Sequence, residues 1–215
     1  MCTGRSSPNP ACCRRNGRTY KATHNNIEYD APLEVRYWPN PAGTPLIRAH
    51  TEIPHNVINI FTEGSKIGGK VGAAAVIIKD DIGLHQSKYK LHERCSNNQA
   101  EQVAILRALE QIQNLQLAED AEKIVVVNTD SKVTMDTLQN RNKHYKLIVN
   151  IRKEIKRPED QQWTMLFDWV KAHVGIQGNE MADRLAKKAA TDDIGELVCD
   201  KIPRQTIITE GRRKK

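Results

Sequence analysis

Aromatic side chains are scarce in this 215-residue chain: tryptophan, tyrosine and phenylalanine together make up 5% of it. With a hydrophobic content of only 39%, that argues against a core packed over the whole length. It fits one globular domain with loosely organised flanks. A domain of about 150 residues can bury enough apolar surface to hold itself together without disulfides or metals. Long apolar runs are absent as well. None reaches the ~20 residues of a membrane-spanning helix, and no secretory leader opens the sequence, so no membrane partner is expected. Paired cysteines are missing too. The five, Cys2, Cys12, Cys13, Cys95 and Cys199, are odd in number and contain no C-x-x-C. Their spacing indicates neither a disulfide framework nor a zinc ribbon. A reducing intracellular setting, nuclear or cytoplasmic, is expected.

Charge is present in excess of one sign. Lys and Arg number 33 against 26 acids, a net charge of +7. Such a surplus suits a polyanionic partner without requiring one.

The chain divides by composition. Residues 1–23, rich in Gly, Pro, Ser and Arg, read as a disordered leader. Residues 24–55 hold Pro32, Pro39, Pro41, Pro45 and Pro54 and read as an irregular linker, with Tyr37 and Trp38 its bulkiest residues. Residues 56–192 form the expected domain, and 193–215 a basic tail ending in "RRKK". Within the domain, "NVINIFT", "KVGAAAVIIK" and "GLHQSKYKL" are predicted strands, joined by turns at Gly68-Gly69 and Asp80 to Gly83. Helical spacing follows from Asn98 to Leu117. "EKIVVVNTD" is a fourth strand, apolar on both faces. Two helical pieces, 131–139 and 143–156, precede "WTMLFDWVKA", a fifth strand, and "GNEMADRLAKKAAT", a closing helix with Asn179 as its N-cap. The order β-β-β-α-β-α-β-α predicts an α/β fold: a five-stranded mixed sheet with helices on both faces.

Four acids stand out. Glu63 and Asp130 fall at the carboxyl ends of the first and fourth strands. If those strands are parallel neighbours, both acids project at the edge where α/β sheets gather ligands. Ordinary turn chemistry is the competing account of each. Glu101 is more telling. At about 100° per residue it lies within roughly 40° of Ile105, Ala108, Ile112 and Leu115, in the middle of the apolar stripe. A charge there must be paired, metal-bound, or at the helix end with a route to water. Asp183 sits on the flank of the Ala182/Ala186/Ala189 stripe, after the turn in "HVGIQGNEMAD". Acids gathered around one point repel one another and call for cations. Oxygen ligands select Mg²⁺ or Mn²⁺, and two such ions about 4 Å apart form a phosphoryl-transfer centre.

Together, "TEGS", "NNQAEQVAILRALE", "VNTDSKVTMDTL" and "WVKAHVGIQGNEMADRLAKKAA" resemble the four signature segments of ribonuclease H, in order, over Val57 to Thr191. The likeness is greatest to the ribonuclease H domains attached to reverse transcriptases of non-LTR retrotransposons of the insect type. "EVRYWPNPA" resembles, more loosely, the linker that precedes such domains. The resemblance implies metal-dependent cleavage of the RNA strand of RNA–DNA hybrids. It makes Glu63, Glu101, Asp130 and Asp183 the metal-binding acids and His173 a helper in proton transfer or product departure. Gly64 and Ser65 would let backbone amides approach the RNA strand. Ser96, Asn97 and Asn98 would contact sugar hydroxyls, the feature that distinguishes RNA from DNA. A reverse transcriptase domain in a longer polyprotein is an implied partner. No polymerase-like acid pair is found in this chain, so a polyprotein fragment and a stand-alone relic are both open.

At one position the chain departs from the family pattern, which has aspartate where Glu63 stands. The added methylene moves the carboxylate by roughly 1.5 Å, and ~1 Å of misplacement costs on the order of 10²-fold in rate. Lowered turnover is therefore expected. Two other readings compete: a catalytically dead ribonuclease H-like module that binds nucleic acid or braces a polymerase, and another nuclease of the fold class, such as an integrase or junction resolvase. The basic stretch with Arg141, Lys143, Lys146, Arg152, Lys153, Lys156 and Arg157 is a candidate grip for the DNA strand, or simply a solvated face. For "RRKK" the alternatives are a nuclear localisation signal, a phosphate grip, or a solvated end.

Overall fold

The computed structural model describes residues 13–15, 18–20, 29–30, 47–48, 57–115, 123–140, 142–143, 145–159, 163–171, 175–192, 197–199 and 202–203. Tyr37, Trp38, Arg141, His173 and the "RRKK" end lie outside them, as does most of the leader and linker. Four short strands come first: β1 (Cys13–Arg15), β2 (Arg18–Tyr20), β3 (Tyr29–Asp30) and β4 (Ile47–Arg48). The domain then runs β5 (Ile58–Ile67), β6 (Lys70–Lys79), β7 (Ile82–Leu91), α1 (Asn97–Ile112), β8 (Ile124–Thr129), α2 (Lys132–Gln139), α3 (Lys146–Glu159), β9 (Thr164–Trp169) and α4 (Gln177–Thr191). Two short strands close the order, β10 (Leu197–Cys199) and β11 (Ile202–Pro203).

Strands β5, β6 and β7 form an antiparallel meander. Gly68 and Gly69 turn the first hairpin at positive φ, and Asp80 and Asp81 turn the second the same way. Strands β8 and β9 add in parallel on the other side of β5, reached through helical crossovers. The expected five strands are all present. Among the described residues the sheet nevertheless has seven, in the order β10-β7-β6-β5-β8-β9-β4. The two additions, β4 beside β9 and β10 beside β7, are two and three residues long. They show no periodicity of their own, and open sheet edges recruit them. So Leu197–Cys199, within the basic tail, is an edge strand. Beyond this sheet, β1 pairs with β2 and β3 with β11.

Helices cover both faces. On one, Ile105, Leu109 and Ile112 of α1 pack with Ile148 and Ile151 of α3 onto Ile58, Ile60, Ile77 and Phe167. Each such side chain contributes roughly 1.5–3 kcal/mol on burial. On the other face, Ala182 of α4 meets Phe61 and Val76. Helix α4 lies directly on β6: a Cβ at Gly72 would stand 2.3 Å from the Ala190 nitrogen. Helix α1 ends at Ile112, short of the expected Leu117, as Asn114 and Leu115 bond back in a tight turn to Gln111 and Ile112.

Arg152, grouped by sequence with a surface grip, is buried at 3% exposure. Its guanidinium donates to the carbonyls of Thr137, Leu138, Asn140 and Lys143. Those carbonyls lie at and just beyond the end of α2, where a cation is favoured. Charge periodicity misassigned it because burial of the α3 face was not visible in composition. Lys143, Lys146 and Lys153 remain exposed.

Candidate metal centre

The site grows from the end of one parallel ladder. Strands β5 and β8 pair from Ile58/Val125 to Thr62/Thr129, and the next residue on each is an acid, Glu63 and Asp130. Glu63 is neither in a turn nor at the carboxyl end of its strand, where the sequence placed it. Strand β5 continues to Ile67, because its antiparallel ladder with β6 runs on, with Glu63 opposite Ala74, until the glycine turn. Loss of the parallel partner, not of the strand, opens the sheet there.

Glu101 reaches the same point from α1. A capping box fixes the start of that helix: the Gln99 amide donates to Ser96 Oγ at 3.1 Å, and the Ser96 amide to Gln99 Oε1 at 3.0 Å. Gly64 lets the helix sit close. A Cβ on it would lie 2.7 Å from the Glu101 nitrogen and 2.9 Å from the Ala100 Cβ. One oxygen each from Glu63, Glu101 and Asp130 all fall within 4.8 Å of one another. Glu63 and Glu101 are 5% and 4% exposed, and Asp130 is half-buried.

Three acids so close cannot all hold charge comfortably. Burial, then the charge of Asp130, pushes the Glu63 carboxyl up to about 8; the hydrogen bond from Asn179 opposes the rise. Burial, then Glu63 and Asp130, holds Glu101 well above the usual carboxylate range, against hydrogen bonds from the Gly64 backbone and Asn97. Glu101 Oε2 is buried with no hydrogen-bond partner among the described residues. An all-oxygen set of acids with an unsatisfied buried lone pair fits a hard divalent cation, which would hold all three ionised.

The other sequence-predicted residues divide. Asp183 on α4 lies outside the close trio and pairs with Lys187 at 2.7 Å, though its charge is felt at Glu63. Ser65 is buried in β5 opposite Gly72. The Ser96 hydroxyl accepts the capping hydrogen bond, and Asn97 Nδ2 donates to Glu101 Oε1 at 3.4 Å. Asn98 Oδ1 accepts from Thr134 at 3.1 Å, linking α1 to α2. His173 lies outside the described residues.

Asn179 is not the N-cap of its helix. Ile176 holds that position, and Asn179 lies in the first turn, 2% exposed. Its Nδ2 donates to Glu63 Oε1 at 2.9 Å. A signal for this role was in the sequence. Asn179 shares the buried stripe of Ala182 and Ala186, three and seven residues on, so an amide there needs an internal partner.

Residues 55–191 match the family model described as RNase H. A Ribonuclease H from Wolbachia sp. subsp. Drosophila simulans is 30% identical over 142 residues, spanning 63% of this chain and 96% of that protein. A Ribonuclease H from Ruthia magnifica subsp. Calyptogena magnifica is 30% identical over 148 residues, spanning 62% and 95%. The solved N-terminal RNase H domain of a Mycobacterium tuberculosis protein, fused to maltose-binding protein, aligns at 24% identity and a TM-score of 0.49. That alignment covers 62% of this chain and 92% of that one.

Proposed function

The chain belongs to the RNase H family, and from that premise we propose that it is a metal-dependent endoribonuclease cleaving the RNA strand of RNA–DNA hybrids. The observation that supports this most is the convergence of Glu63, Glu101 and Asp130 within 4.8 Å from two strands and a helix. These acids would hold Mg²⁺, or Mn²⁺, with Asp183 completing the set for two ions. Such cations, when bound, would make a water more acidic and neutralise charge developing on the phosphate. In the hydrolysis a water oxygen bonds to phosphorus, the phosphorus–sugar oxygen bond breaks, and the departing oxygen takes up a proton. His173 is the proposed proton carrier.

Positioning falls to the chain's own packing. Asn179 orients Glu63, while Gly64 and the capped start of α1 orient Glu101. Asn97, exposed beside Glu101, is the best placed of the proposed sugar contacts, followed by Asn98 and Ser96. Gly64 and Ser65 would present backbone to the RNA strand. The segments that carry the likeness to non-LTR retrotransposons support a further proposal, that a reverse transcriptase domain is the natural partner.

A second reading is favoured by one residue. Glu63 is a methylene longer than the aspartate of the family pattern, and a module without turnover would tolerate it. Hybrid labelled on its RNA strand, incubated with the full chain in Mg²⁺ and in Mn²⁺, separates the two readings. Cleavage of the hybrid, with single-stranded RNA, duplex DNA and branched DNA left intact, supports the enzyme. Binding that weakens steeply with salt and leaves the hybrid whole supports the module. Cleavage of the DNA substrates would favour another nuclease of the fold class.

A further inference from the structure

Two cysteines, 104 positions apart in sequence, meet where the C-terminal strand joins the sheet. Strand β10 pairs in parallel with the end of β7, Cys199 opposite Leu91. The Cys199 carbonyl accepts from the His92 amide at 2.9 Å and lies 3.6 Å from Cys95 Sγ. Cys199 packs against the buried cluster that holds Cys95, and neither sulfur is in a disulfide. Cys95 is fully buried and Cys199 half-buried, so Cys199 is the more accessible residue of the pair. The loop holding Cys95 is itself fixed. Its amide donates to the His92 carbonyl at 2.8 Å, and Lys66 Nζ donates to its carbonyl at 2.8 Å.

From this juxtaposition we propose that Cys95 and Cys199 form a reversible disulfide that staples the C-terminal strand to the loop opening α1. A small disulfide such as oxidised glutathione is the oxidant. The Cys199 sulfur attacks one glutathione sulfur, breaking that S–S bond and releasing one glutathione. The Cys95 sulfur then attacks Cys199 Sγ and releases the second. Two protein thiols are oxidised, one glutathione disulfide is reduced, and the two thiol protons leave on the two glutathiones. In a reducing compartment the pair stays open, and an oxidative shift closes it. The bond lies beside Ser96, the N-cap of the helix bearing Glu101, so it restrains the start of α1 as well as β10. The bond lies outside the acidic centre of Glu63, Glu101 and Asp130.

The test uses the full chain with Cys2, Cys12 and Cys13 replaced by serine, leaving only this pair. It is exposed to oxidised glutathione, alkylated and mapped by mass spectrometry, and its Tm is recorded before and after. The expected result is a Cys95–Cys199 cross-linked peptide and a Tm raised by roughly 5–10 °C. Adding Cys199→Ser removes both effects, and dithiothreitol reverses them in the parent. Alkylation of both thiols after oxidation, glutathione on Cys199 with no cross-link, or a cross-link with unchanged Tm would each overturn the proposal.

Discussion

Asn179 Nδ2 donates to Glu63 Oε1 at 2.9 Å, joining the first turn of α4 to the middle of β5. It holds the acid that departs from the family pattern, and it does so where both partners are buried. The hydrogen bond favours the ionised form of Glu63 against burial and the charges of Asp130 and Asp183. Replacing Asn179 with alanine should therefore loosen Glu63 and disfavour its charge. The expected outcome is a kcat lowered roughly 10-fold and a higher Mg²⁺ concentration at half-maximal rate, with the hybrid KM little changed. An equal loss in KM with unaltered Mg²⁺ dependence would show a merely structural role.

Glu63→Asp shortens the acid and gives up reach toward Asn179. If the extra methylene keeps the site from its best geometry, hybrid cleavage should rise, on the order of 10-fold. Equal rates beside the parent chain would sink the idea that the methylene matters.

The raised acids link stability to pH. Glu63 moves from 4.5 to about 8 in the folded chain, so folding tightens its hold on the proton. That contribution is full below pH ~4.5 and is lost as pH climbs toward about 8; Glu101 acts in the same direction. Metal-free protein should lose roughly 5–10 °C of Tm between pH 5 and pH 8. Mg²⁺ should restore more of it at pH 8 than at pH 5. The variant Glu63→Gln/Glu101→Gln should flatten the trend and abolish the Mg²⁺ effect. A Mg²⁺ shift undiminished in that variant would place the cation elsewhere.

Arg152 and its exposed neighbours should separate. Arg152→Ala uncaps four carbonyls near the end of α2 and should cost roughly 2–4 kcal/mol of stability by denaturant titration. Reversing Lys146 and Lys153 to glutamate should leave stability nearly intact but weaken hybrid binding and flatten its salt dependence. If binding and salt slope do not move, that face of α3 is only solvated.

Much of this was legible from local pattern. Apolar runs of β-type residues and turn signals marked β5 to β7, and helical phase placed Glu101 on a buried face. The same phase logic extended to Asn179 would have marked it as buried. What pattern could not supply was pairing between distant segments. Strand β10 is three residues with no period, and only the open edge of β7 makes it a strand. Arg152 reads as surface charge until the carbonyls of α2 are brought to it. Glu63 looked like a turn residue because "TEGS" is turn-rich, while its strand is extended by β6, whose register lies in another segment.

The most direct test compares the full chain with Glu101→Gln on RNA-labelled hybrid in Mg²⁺, at matched folding by circular dichroism. If Glu63, Glu101 and Asp130 hold the catalytic cation, the parent cuts the RNA strand and the variant loses at least ~100-fold in rate. An intact hybrid with the parent in both Mg²⁺ and Mn²⁺, or a variant that cuts as fast as the parent, would contradict it.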